Sequence, residues 1–389
     1  MLGNHKLIVD TQCEVYELLK GIADGEFWDL AHHDIVPGAC YMIGRMQFRQ
    51  NIGLIRNLAE TGQVTVVLSN PAEGSDTIRW QCKNLGIEDL VKSGQILVLA
   101  GGDADSGYQL LRYDSFMVKI LDYLTNCESM KRTAEIYNKS DKPYKFLFLN
   151  GRSRPHRRFL LEKFRQQGLL DQALWTNLDT TPAPSRSISL FDQNDTNLLA
   201  QSFPVHYLPV DYEVKEYQHK ITIPASQDNN FIKDHLFNNT WGEIYLKAEP
   251  YIDTYFSVVT ETVFDYPYSF RTEKIWKPVA MGHPWIAATS CGYYRDLHNL
   301  GFKTFGHLID ESFDLVENSQ DRMCCVNQVV QDLCTQDLTQ FLSAAQEVCK
   351  YNQQHLIETR EQEIKSFPTR LEQFLRRHDR FSGAGAGCM

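Results

Sequence analysis

Two stretches carry side chains whose types and spacing suit the binding of a phosphorylated ligand. The first is Asn150-Gly151-Arg152-Ser153-Arg154-Pro155-His156-Arg157-Arg158, directly after the apolar run Phe146-Leu147-Phe148-Leu149. A strand, a glycine turn and a helix with Pro155 in its first turn are the expected local structure. Four arginines and a histidine then crowd a helix N-terminus. Cations beside the positive helix end are mutually unfavourable unless an anion sits there. Arginine forms bidentate hydrogen bonds to phosphate, and free backbone N–H groups add more. The ordinary alternative is a solvated basic turn.

The second stretch is Phe256-Ser-Val-Val-Thr260-Glu261-Thr262, followed after a Tyr/Pro-rich loop by Arg271-Thr272-Glu273-Lys274. Thr272 fits an N-cap and Glu273 a first helical turn, which accounts for those two without any ligand. Lys274 at a helix start and Glu261 at the end of an apolar strand are not explained that way. Carboxylates suit ribose or sugar hydroxyls, and a lysine suits a pyrophosphate. The intervening loop, Phe264-Asp-Tyr-Pro-Tyr-Ser-Phe270, offers aromatic rings that either pack internally or stack on a base or sugar.

These groups need elements to hold them. Strands are expected over 6–10, 64–69, 96–100, 146–150, 174–177 and 187–190, and helices over 52–58, 78–85, 116–137 and 155–168. Residues 241–251 fit a helix or a strand edge. A strand from 256, a helix from 273 that Pro278 shortens or kinks, a Gly-Pro break and a second strand from 285 form a βαβ unit. Helices are expected over 322–335, 338–365 and 370–377, with Pro368 as an interruption. Alternating βαβα implies parallel sheets with helices on both faces, and in such sheets ligands bind at the carboxyl ends of the strands.

The 389-residue length favours two domains. The boundaries expected are 1–140, 141–337, C-terminal helices over 338–380 that pack back across the cleft, and a mobile tail over 381–389. Hydrophobic content of 43% and charged content of 23% are those of a globular protein. A formal net charge of −10 argues against general nucleic-acid binding, which draws on Lys and Arg against phosphate. No signal-peptide pattern opens the sequence, and no apolar run reaches the roughly 18–20 residues that span a bilayer. The ten scattered cysteines form no Cys-x-x-Cys pair, so reduced thiols in a cytoplasmic protein are expected. His32-His33-Asp34 lacks a further ligand at metal-site spacing and reads as a surface turn.

Strand-Glu261, loop, Thr272-Glu273-Lys274, short helix, strand and Gly301-Phe302-Lys303-Thr304-Phe305 together resemble the donor-binding half of α1,3-fucosyltransferases. Ile309-Asp-Glu-Ser-Phe-Asp314 and the Asn150–Arg158 motif are more similar still to uncharacterised glycosyltransferase-like proteins of phage and environmental origin. The resemblance covers residues 144–315. It implies a GT-B fold, α/β with two Rossmann-like domains facing a cleft, the nucleotide sugar held mainly by the C-terminal one. By position it implies that Thr272, Glu273 and Lys274 contact the ribose and phosphates of a nucleotide-diphosphate sugar. It places Glu261 near the transferred sugar and makes one of Arg152, Arg154 or Arg157 the phosphate-binding arginine. Thr262-Val263 stands where the fucosyltransferases have Asn-Ser/Thr, which leaves the sugar and base open.

The resemblance further implies inverting transfer to a glycan or other hydroxyl acceptor, with no cofactor and no obligatory metal, Arg and Lys stabilising the leaving diphosphate. An N-terminal carboxylate would take the acceptor proton. Asp10, Asp103 and Asp105 are the candidates, Asp103 first. The competing readings are a non-catalytic GT-B-like module that binds nucleotide or glycan, and an epimerase or phosphorylase of the same architecture.

Overall fold

The structure, a computed structural model, describes residues 6–102, 108–179, 203–209, 212 and 246–378. Asp103, Asp105, the expected strand at 187–190, positions 241–245 and the tail over 381–389 lie outside the described residues. The chain divides into two compact units. One comprises Met1–Val118 with Thr359–Met389, the other Lys119–Glu358.

The first unit is built on β1 (Leu7–Asp10), β2 (Gly25–Phe27), β3 (Cys40–Gly44), β4 (Thr65–Gly74), β5 (Ile96–Gly101) and β6 (Leu110–Arg112), in the order β2-β1-β3-β4-β5-β6. Every neighbouring pair is parallel. β1, β3 and β5 are buried along their whole length, as expected for strands covered on both faces. Alternate residues enter different cores. Ile8, Tyr41, Ile43, Val66 and Val98 pack on one face. Leu7, Val9, Met42, Val67 and Leu99 pack on the other with Phe367, Leu371, Phe374 and Leu375 of the C-terminal helix.

The second unit holds β7 (Tyr144–Asn150), β8 (Ala173–Asn177), β9 (Thr254–Thr260) and β10 (Trp285–Ala288), ordered β10-β9-β7-β8 and parallel throughout. The chain is thus a mixed α/β protein with two parallel sheets flanked by helices. This architecture is compatible with two Rossmann-like domains. Among the described residues, no helix is long and apolar enough to cross a membrane.

Three elements depart from the expected pattern. The periodic run at 116–137 is three helices, Ser115–Lys119, Leu124–Met130 and Thr133–Asn138. Buried Asn126 explains the break, since its amide donates to Ile120 O at 2.8 Å and accepts from Leu246 N at 2.7 Å. A continuous helix would leave those polar atoms without these partners. Pro368 does not interrupt the last helix, which runs unbroken from Leu338 to Arg377. An interior proline costs about 3 kcal/mol. Phe367, Leu371, Phe374 and Leu375 are nearly fully buried around it. At about 1.5–3 kcal/mol each they outweigh that cost. The strand expected over 64–69 continues to Gly74 through a register shift after Asn70, next to Pro71, which has no N–H to give.

Candidate functional site

In the four-stranded sheet the chain leaves β7 toward β8 on one side, whereas β9 lies on the other. The carboxyl ends of β7 and β9 therefore flank a topological switch point, the usual ligand position in open α/β sheets. Both sequence motifs end there. Asn150 closes β7 and Thr260 closes β9, and Thr260 Oγ1 donates to Asn150 Oδ1 at 2.8 Å. Asn150 is 2% exposed, and its Nδ2 finds no hydrogen-bond acceptor among the described residues.

The helix Pro155–Gln166 starts at this edge with Arg154 as its extended N-cap and Pro155 as its first residue. His156, Arg157 and Arg158 are buried, Arg154 is half-buried and Arg152 exposed. The Arg157 guanidinium donates to Arg152 O at 2.9 Å, Thr260 O at 3.2 Å and Glu261 O at 3.3 Å. It ties the first motif to the end of β9. His156 Nε2 lies 2.7 Å from Glu261 O. A carbonyl only accepts, so Nε2 carries the proton and Nδ1 is left as an acceptor. Burial holds this imidazole well below the ordinary histidine pKa, with the charges of Arg157, Arg154 and Lys274 adding to the effect. Lys274 thus shares an electrostatic neighbourhood with the arginine-rich turn, although more than a hundred residues separate them in sequence.

Glu261 follows β9 and is fully buried. Its Oε1 accepts from Thr272 N and Tyr293 OH, both at 3.0 Å, and its Oε2 from Thr272 Oγ1 at 2.6 Å and Thr262 N at 3.2 Å. The carboxylate is committed to holding the start of the helix Glu273–Met281. Thr272 caps that helix through a 3.4 Å bond from Lys274 N, and Gly282 ends it with φ +61°. Pro278 sits inside it without stopping it. Burial pushes the Glu273 carboxyl up, but the Lys274 and Lys277 ammonium groups outweigh this and hold it below the usual carboxylate range. Lys274 Nζ pairs with Glu273 and lies 3.3 Å from Thr262 Oγ1. Its side chain stays 24% exposed, so it can still meet a ligand.

The structure brings Arg152, Arg154, Arg157, Glu261, Thr272, Glu273 and Lys274 to one sheet edge. The sequence did not assign the roles of four further contributors. Asn150 lay inside the quoted motif without a role, and His156 was counted there with the arginines at the helix start, whereas burial keeps it neutral. Tyr293 and Arg322 gave no local signal. Arg322 is buried and donates to Thr289 O at 2.8 Å and Phe264 O at 2.6 Å, which fixes the aromatic loop. Phe264, Tyr268 and Phe270 of that loop are buried, with the Phe264 ring 4.5 Å from that of His156. Tyr266 is half-buried.

His32 and His33 close a short 3-10 turn, Leu30–His32, in which Asp29 Oδ1 accepts from Ala31 N at 3.0 Å. Among the described residues no group of three or more His, Cys, Asp or Glu is placed to hold a metal ion, and no disulfide joins the cysteines. Comparison with family models, curated proteins and solved structures gives no match to this chain.

Proposed function

We propose that this chain is a glycosyltransferase of GT-B organisation. It moves a sugar from a nucleotide-diphosphate sugar to a hydroxyl acceptor, with inversion and without an obligatory metal. One observation carries the reading. The switch point between β7 and β9 gathers Arg152, Arg154, Arg157 and Lys274, in a protein whose formal net charge is −10. A dianionic leaving group is the partner that such a concentration of cations stabilises.

Roles follow from exposure. Arg154, Arg152 and Lys274 take the diphosphate. Arg157, bonded to three backbone carbonyls, positions the turn. Glu261 acts through Thr272 and Tyr293 and sets the helix start that presents Lys274. The Asn150 amide offers a buried donor to a ligand hydroxyl or base. In the reaction the acceptor oxygen bonds to the anomeric carbon as the bond to the diphosphate oxygen breaks. The acceptor proton passes to a general base, for which the sequence offers Asp103, outside the described residues, as first candidate.

The test is thermal-shift and calorimetric titration with GDP, UDP, CMP and their sugar conjugates. A nucleoside diphosphate should bind while the matching nucleoside binds weakly. Lys274→Ala and Arg154→Ala should each lower diphosphate affinity about tenfold or more, the scale of a charge-assisted hydrogen bond. No response to any nucleotide would sink the proposal. Binding without donor hydrolysis or transfer would leave a nucleotide-binding module instead.

A further inference from the structure

The six-stranded sheet has a switch point of its own. β1 is followed by β2 on one side and neighbours β3 on the other, so the carboxyl ends of β1 and β3 diverge. Asp10, the last residue of β1, spans this point. Its Oδ2 accepts from Gly44 N and its Oδ1 from Gln12 N, both at 2.9 Å. A Cβ on residue 44 would lie 2.8 Å from Asp10 Oδ2, so this close approach requires glycine. Asp10 is fully buried and serves the backbone rather than a proton transfer.

A cavity of about 320 Å³ opens at this edge, lined by Gln12, Arg45, Met46, Arg49, Ser69 and Asn70 among others. That volume is at the small end of ligand pockets, roughly 300–1,000 Å³, and suits a single ring. Arg45 pairs with Glu73 at 3.2 Å. Arg49 is exposed and has no ion pair or hydrogen bond among the described residues. The Ser69 hydroxyl, in a residue 3% exposed, is hydrogen-bonded to the Cys13 thiol and meets no nitrogen or oxygen partner among the described residues. Among the described residues Asn70 Nδ2 reaches Gln81 Oε1, at 3.4 Å. Glu14 shares the lining, with its Oε2 buried away from solvent.

Met46, 56% exposed, adds an apolar contact to this lining from the helix Arg45–Gln50, which also carries Arg49. A flexible apolar side chain beside polar donors suits the mixed surface of a sugar ring. The Cys13 thiol in the lining is kept protonated, by burial first and then by the Asp10 charge, so reversible binding rather than covalent attachment is expected.

We infer that this cavity binds a monosaccharide bearing an oxyanion, a sugar acid or sugar phosphate. Arg49 meets the charge, Ser69 and Asn70 meet ring hydroxyls, and Met46 meets the apolar face. The inference uses the first unit alone and does not depend on nucleotide-sugar binding in the second.

Calorimetric titration of the full chain with D-glucuronate, glucose 6-phosphate, glucose and inorganic phosphate tests it. Saturable binding of at least one acidic sugar is expected, with glucose and inorganic phosphate each at least tenfold weaker. Binding of glucuronate alone would identify a sugar-acid site, and of glucose 6-phosphate alone a sugar-phosphate site. Arg49→Ala should weaken binding at least tenfold with an unchanged melting temperature, and Met46→Ala should weaken it as well. Lys274→Ala, in the other unit, should leave it unaltered. The proposal is overturned by equal binding of glucose or of inorganic phosphate, by an inert Arg49→Ala, by the absence of saturation with both acids, or by a loss confined to Lys274→Ala.

Discussion

At the scale of single residues, buried groups matter more for the partners they commit than for the charge they carry. Glu261 illustrates this, since four donors from its own chain converge on one carboxylate. Glu261→Gln places an NH₂ against some of those donors, and buried mismatches of this kind cost about 1–3 kcal/mol. Urea denaturation should show that loss together with weaker nucleotide binding. Tyr293→Phe removes a single donor and should cost about 1–2 kcal/mol, less than Glu261→Gln. If Tyr293→Phe proves the more damaging of the two, the positioning role of Glu261 is wrong.

Among the elements, the helix Glu273–Met281 shows how sequence punctuation and packing cooperate. Thr272 opens it, and Gly282 closes it in the left-handed region at φ +61°. A Cβ at 282 would also stand 2.8 Å from Thr133 Cγ2. Gly282→Ala should therefore destabilise by about 1–2 kcal/mol from backbone strain alone, with displacement of Thr133 in addition. Gly151 is the contrast, because a Cβ there meets nothing within 4 Å and φ lies outside the left-handed region. Gly151→Ala should leave the melting temperature within a degree or two, since substitutions away from special backbone sites stay within about ±0.5 kcal/mol. Equal losses at both positions would contradict the assignment of Gly282 as a helix terminator.

For the molecule as a whole, two fully buried neutral histidines set a pH dependence. His156 is held well below its ordinary pKa, and burial brings His283 to about 3. His283 lies between Ser257 Oγ at 2.9 Å and Thr254 O at 3.0 Å, and burial keeps it neutral although the bond to Thr254 O favours the protonated ring. Below about pH 6.5 the unfolded chain takes up protons at these sites that the folded chain does not. Stability is therefore full above that pH and falls as the pH drops from there toward the folded pKa values. Each histidine contributes a slope of about 1.4 kcal/mol per pH unit in that window. Urea unfolding of His283→Gln between pH 6 and 4.5 should show a slope shallower by that amount, and an unchanged slope would remove burial as the cause.

The sequence by itself determined the strands at β1, β5, β7 and β9, because apolar runs bounded by Gly, Asn or Asp have few other solutions. It also marked the start of the helix at 273–281 through Thr272, though not its passage through Pro278, and it marked both polar motifs. Three short strands of the first sheet, β2, β3 and β6, carry too little periodic signal to be read locally. The breaks within 116–137 and the survival of the last helix through Pro368 depend on contacts with distant residues. Tertiary structure alone decided the strand order, and with it the two switch points, because β7 pairs with β9 across about a hundred intervening residues. It also decided which arginines are available. Arg152 and Arg157 are alike in sequence, yet one is exposed and the other is bonded to the carbonyls that end β9. The residue types lie in the sequence, but their exposure comes from neighbours that only the folded sheet brings beside them.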